Sequence, residues 1–238
     1  MDKRIAEAQD TVLAVFAREA SQFALAGGTA LERYYLRHRF SWDLDFFSPK
    51  YPLEEINRLT AAIKKHVNPR LKLESEFTAG RRARVRFYAM PVRGASRPLK
   101  IDFVEDVLIL KPTIKTLGGV RVYGAESIYL HKVAAVAGIQ SELDATGRSV
   151  QRGRNAPRDV FDLWMLSQKV MPLHRFLTQK AAASYQKGMV HWYRTFSRHD
   201  LKLGLLDMAI YDLTFDARKM IADLENEIRL FVQEVSKE

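Results

Sequence analysis

The sequence predicts an α+β protein: a mixed sheet with helices in the N-terminal part, followed by an all-helical C-terminal part. Three observations carry this. Up to about residue 120, short runs with the period of two of a strand alternate with runs of helical period. From Glu126 onward only the helical period is found. The chain has 238 residues, 47% of them hydrophobic, enough for one large domain or two modest ones. The expected division is 1–120 and 121–238.

In chain order, residues 3–20 read as an amphipathic helix and FALA (23–26) as a short strand. Gly27 and Gly28 then make a tight turn, and a helix follows over about 30–37. SWDLDFF (41–47) is the next strand, and Pro52 opens a helix to about His66. Strands are expected near 70–78, 82–90 and 99–105, with one more at 107–111. ESIYLHKVAAVAGIQ (126–140) is one helix. SELDATGRSVQRGRNA (141–156) is a polar linker, and Pro157 suits the first position of another helix. Further helices are expected over 172–187, 200–212 and 217–236. In the last, Met220, Ile221, Leu224, Ile228, Phe231 and Val235 form a helical stripe.

Cysteine is absent, which excludes disulfides and thiolate metal sites. No run approaches the ~20 apolar residues of a membrane span, and the first residues carry acids and a helical period, unlike a secretion signal. A cytoplasmic protein with no membrane partner is expected. The net charge is +10, from 38 Lys+Arg against 28 Asp+Glu, which favours polyanionic partners, nucleic acid above all. Between Ala79 and Ile101 there is no acid. There Arg82, Arg84 and Arg86 alternate with apolar residues, an arginine face on a strand that suits the phosphates of an acceptor. The competing reading is a solvated face whose arginines pair with acids elsewhere.

In WDLDFF, Asp43 and Asp45 project from one face of a strand while Leu44 and Phe46 take the other. Two like charges so close repel unless a cation sits between them, and Mg²⁺, which takes hard oxygen ligands, is the natural candidate. The alternative is an edge strand with that face in water. In LKIDFVED, Ile101 and Phe103 share a face, which leaves Asp102 on the other as a third acid. The strand–turn–helix FALAGGTALERYY would aim backbone amides at an anion, whereas the T-x-x-E spacing of Thr29 and Glu32 alone would make a capping box. His38 and Arg39 either contact phosphate or are buried.

Together, LAGGTALERYYLRHRFSWDLDFFS, LKIDFVED, SIYLHKVAAV and RDVFDL resemble the nucleotidyltransferase fold and, more closely, the AbiEii/AbiGii-type toxin family of bacterial toxin–antitoxin pairs. The resemblance implies that Gly27, Gly28 and Thr29 hold the triphosphate of an NTP. It implies that Asp43, Asp45 and Asp102 hold Mg²⁺, with Mn²⁺ as the alternative ion. Lys132 matches the family's helical lysine, with a catalytic and nucleotide-binding role, and Asp159, also with a catalytic role, and Asp162 match the acids of its R-D-x-x-D-L block. Taken singly, Lys132 can snorkel from an apolar stripe, and acids near a helix start stabilise its dipole. The helical domain is expected to contribute to the active-site cleft. The implied activity is Mg²⁺-dependent transfer of a nucleoside monophosphate to RNA, the tRNA 3′ end, with release of pyrophosphate and a cognate antitoxin encoded nearby. Nucleotidylation or phosphorylation of a protein is one alternative, and a non-catalytic basic RNA-binding module is another.

Overall fold

The computed structural model describes residues 2–77, 83–138, 141–143, 149–151, 153–154 and 156–236; Arg82 lies outside them. The chain forms two compact units, 1–127 and 128–238.

The first unit runs α1 (Lys3–Glu19), β1 (Ala24–Ala26), α2 (Gly27–Ala30) continuing as a π-helical segment (Leu31–Leu36), β2 (Leu44–Ser48), α3 (Leu53–His66), β3 (Lys72–Phe77), β4 (Val85–Met90), β5 (Leu99–Glu105), β6 (Ile114–Leu117) and β7 (Val120–Tyr123). The seven strands form one mixed sheet in the order β3-β4-β5-β2-β1-β7-β6. The β2–β5 and β1–β7 pairs are parallel and the others antiparallel.

Strand alternation decides which face is packed. Leu44, Phe46, Ile101 and Phe103 are fully buried. Phe46 stacks on Phe16 of α1 at 4.0 Å, and Phe103 meets Phe23 edge-on at 5.2 Å. Asp45 and Asp102 are left on the opposite face. Behind the packed face, Glu55 in the first turn of α3 fixes the chain entering β1. Its carboxylate accepts hydrogen bonds from the backbone N–H groups of Ser21, Gln22 and Phe23 at 2.8–3.2 Å and from the Ser21 hydroxyl at 2.8 Å.

The strand expected at 107–111 does not form. Asp106 ends β5 instead: its Oδ1 accepts from the backbone N–H groups of Leu108 and Ile109, and its Oδ2 from the Tyr123 hydroxyl at 3.0 Å. The chain then makes the β6–β7 hairpin, which the sequence reading missed. Its turn is Gly118–Gly119, both at positive φ as such a two-residue turn requires.

The second unit takes in most of α4 (Ala125–Ala137), then β8 (Ser141–Leu143), β9 (Ser149–Gln151), α5 (Pro157–Lys169), α6 (Leu173–Lys180), α7 (Ala183–Thr195), α8 (Arg198–Leu206) and α9 (Ala217–Val235). The expected linker thus contains a short antiparallel hairpin, and the unit is otherwise helical. The helix expected over 172–187 is two helices, because Gln186 turns back and its Nε2 donates to the carbonyls of Leu177 and Ala181 at 2.9 and 3.1 Å. α9 buries Met220, Ile221, Leu224, Ile228 and Phe231, and Tyr129 of α4 stacks on Phe176 of α6 at 3.9 Å.

Candidate active site

β2 lies between β5 and β1, so its acids do not belong to an edge strand. Asp45 is in register with Asp102 of β5 on one side and Ala26 of β1 on the other. Strands in a sheet are about 4.8 Å apart, so the two carboxylates project side by side. Asp43 stands just before β2. Burial, then the charges of Asp45 and Asp43, push the Asp102 carboxyl up to about 8, against the opposing pull of Lys100. Oδ1 of Asp102 is buried and has no hydrogen-bond partner. Among the described residues no three acids or histidines are already gathered as a metal cage. The chemistry still fits a hard divalent cation: Asp102 carries a buried oxygen lacking a partner and feels the charges of Asp45 and Asp43, and carboxylates are the oxygen donors that Mg²⁺ prefers.

The glycine turn sits against this cluster. Gly27 has φ +65°, and a methyl group there would overlap the Asp45 carboxylate. At Gly28 a methyl group would come within 2.6 Å of the Arg39 guanidinium and 2.7 Å of the Ser41 hydroxyl. Both positions need glycine because side chains of the next strand and loop close onto the backbone.

Thr29 and Glu32 do not form a capping box. The helix is capped by Ala26 without a side-chain bond, and Thr29 is its third residue, not its cap. The Thr29 hydroxyl donates to the Asp43 carbonyl, and Glu32 Oε2 accepts from the backbone N–H of Ser41 at 2.9 Å. From α1, the buried Gln9 donates through Nε2 to the carbonyls of Ser41 and Trp42 at 2.9 and 3.1 Å. The segment that carries Asp43 is therefore clamped from two helices. Gln9 is a positioning residue that sequence reasoning missed. Gln9 was detectable as a polar residue on the apolar stripe of the first helix. His38 and Arg39 are both buried, and Arg39 Nη1 donates to the Phe40 carbonyl at 3.2 Å.

Arg84 and Arg86 belong to the other face of the sheet. Arg86 is in register with Phe103 and Phe87 with Asp102, so the arginines side with the helix-covered face. Arg84 is paired bidentately with Glu105, both bonds at 2.9 Å, and its guanidinium lies 4.8 Å over the Tyr51 ring. Arg86 pairs with Glu76 at 3.1 Å.

In the second unit, the Lys132 ammonium of α4 is buried between two carboxylates of α5, 2.6 Å from Asp159 Oδ1 and 2.8 Å from Asp162 Oδ2. Burial pushes the Asp159 carboxyl up, but Lys132 and Arg154 more than offset it, so it stays below its ordinary range. Lys132 therefore does not snorkel. It is one charge held by two opposite ones.

The family profile for the nucleotidyl transferase AbiEii toxin of type IV toxin–antitoxin systems matches residues 12–234. Two solved structures share the fold. JHP933 from Helicobacter pylori is 19% identical, with a TM-score of 0.58, covering 100% of this chain and 95% of its own. A second H. pylori protein, described as a candidate nucleotidyltransferase, is 16% identical, with a TM-score of 0.58, covering 100% of this chain and 98% of its own. No protein of curated function matches the sequence.

Proposed function

Because the chain belongs to the AbiEii nucleotidyl transferase toxin family, we propose that it is an Mg²⁺-dependent enzyme that moves a nucleoside monophosphate from an NTP to an RNA acceptor, the 3′ end of a tRNA, with release of pyrophosphate. The observation that carries this reading is Asp102. It is a carboxyl pushed up to about 8, with a buried oxygen lacking a partner, beside Asp45 and Asp43. Asp43, Asp45 and Asp102 would hold Mg²⁺, which when bound neutralises charge on the phosphates and aligns attacking and leaving oxygens.

The remaining roles fall to the chain's own groups. Gly27, Gly28 and Thr29 stand where backbone can approach the triphosphate closely, and the two-helix clamp on Ser41–Asp43 holds the acids in place. Asp102 is on the acceptor side and takes the proton of the attacking hydroxyl. That hydroxyl oxygen forms a bond to the α-phosphorus as the bond to the bridging oxygen of the leaving pyrophosphate breaks, so each turnover yields one nucleotidylated RNA and one pyrophosphate. Lys132, Asp159 and Asp162 contribute a buried ion-pair network on the family's lysine and R-D-x-x-D-L positions. A cognate antitoxin completes the system.

Asp43→Ala and Asp45→Ala test the reading directly. Each is expected to abolish Mg²⁺-dependent incorporation of labelled nucleotide into total RNA, with an unchanged circular dichroism spectrum. Near-normal incorporation by either variant would remove the metal assignment.

A further inference from the structure

The geometry points to an acceptor-binding platform on the same sheet face: Phe77 and Phe87 stack a base of a single-stranded nucleic acid, and Lys72 and Lys100 take its phosphates. This rests on the nucleotidyl-transfer reading and adds where the acceptor lies.

Register places the platform. Phe87 of β4 is directly opposite Asp102 of β5, and cross-strand partners share a face. Phe77 of β3 is opposite Val85, two residues from Phe87 on that same face. The two rings meet edge-on with centroids 6.0 Å apart. Phe77 is 58% exposed. A single exposed apolar side chain needs no explanation, but this one adjoins a half-buried aromatic residue that faces a candidate catalytic acid.

Order across the sheet decides which substrate it serves. From the glycine turn after β1 the row runs to Asp45 in β2, Asp102 in β5 and Phe87 in β4, and Phe77 at the β3 edge stands two residues along from it, on the side away from Ala89. With the triphosphate at the turn, the side beyond Asp102 is left to the acceptor, and the aromatic pair stands there. Lys72 and Lys100 are both in register with Ala89, one on each flanking strand, and both are exposed. That row is two residues, about 6.5 to 7 Å, from the Phe87–Asp102 row, near the separation of successive phosphates in an extended strand. Glu74, at the irregularity in β3, is a carboxylate whose charge also reaches Asp102. It opposes the two lysines without cancelling them. Base stacking on exposed aromatic rings and phosphate contacts from lysines are the two components of sequence-tolerant single-strand binding.

The test uses a short single-stranded RNA with a 2-aminopurine base at its 3′ end, mixed with the full chain without NTP. Stacking is expected to quench the fluorophore. Phe77→Ala should relieve the quench and weaken RNA binding by roughly five-fold to a hundred-fold, Phe77→Trp should restore both, and NTP affinity should not change. Lys72→Gln with Lys100→Gln should flatten the salt dependence of RNA binding, by about 0.7 in slope per lost contact. Unchanged quench and affinity in Phe77→Ala would overturn the inference, as would a loss confined to NTP binding or undiminished transfer to a protein acceptor. Because binding is read without NTP, absence of transfer by the wild type would defeat the proposed function, whereas the quench decides the platform.

Discussion

Asp102 sets how the cation-free protein responds to pH. In the folded protein its carboxyl is pushed up to about 8 by burial and then by the charges of Asp45 and Asp43, against an ordinary value of 3.8. The unfolded chain gives up this proton first, so stability falls as pH rises through the interval from about 4 to about 8. Asp102→Asn removes the ionisation. In the absence of divalent cations, calorimetry should show the variant melting above the wild type at pH 8, with the gap closing toward pH 5. Equal melting temperatures at pH 8 would mean that the three acids do not strain one another. Lys132 is the reverse case, a charge already matched. Lys132→Met strands two buried carboxylates and should cost about 3–5 kcal/mol in urea unfolding, and adding Asp159→Asn and Asp162→Asn should recover part of that. At this scale the sequence was most legible where alternation governs, since Asp45 and Asp102 are found by period two alone. Thr29 and Glu32 were open to misreading because T-x-x-E spacing registers only local partners. Their partners, the Asp43 carbonyl and the Ser41 N–H, lie 14 and 9 residues away.

Between elements, the clearest joint is Glu55 of α3 holding the chain that enters β1. Burial pushes its carboxyl up, but the backbone donors of Gln22 and Ser21, the Ser21 hydroxyl and the Phe23 N–H more than offset this and hold it below its ordinary range. The folded pKa being depressed, this stabilisation is present at neutral pH and is lost as pH falls through the carboxylate range. Glu55→Gln should therefore destabilise at pH 7, by about 1.5–3 kcal/mol as charged hydrogen bonds become neutral, and much less near pH 3. A destabilisation independent of pH would contradict the charge-assisted account. Most of the sheet and helices were legible because each has a clean period. The exceptions have physical causes. Asp106 stops the strand expected at 107–111 by capturing two backbone N–H groups and the Tyr123 hydroxyl. Gln186 breaks an uninterrupted helical pattern from within, reaching back to the carbonyls of Leu177 and Ala181, with no glycine or proline to mark the break. The β6–β7 hairpin had its signal, two glycines between alternating residues, and closes the sheet beyond β1.

For the whole molecule, a net charge of +10 suggests a polyanion, but composition does not say which surface receives it. The arginine run looked like that surface until register placed Arg84 and Arg86 on the helix-covered face with Glu105 and Glu76 as partners. Membership of a toxin family carries a cellular expectation. Inducing the chain without its antitoxin should arrest growth, measured by optical density and colony counts, and Asp45→Ala should relieve the arrest. Full toxicity in that variant would mean that the harm does not come from the carboxylate site. Which bond the enzyme makes is read by incubating the protein and Mg²⁺ with RNA and NTP labelled at either the α- or the γ-phosphate. For nucleotidyl transfer to RNA the α label should enter RNA in step with pyrophosphate release and the γ label should not. Entry of the γ label into any acceptor would mean a kinase, and α label found only on protein would mean that RNA is not the acceptor.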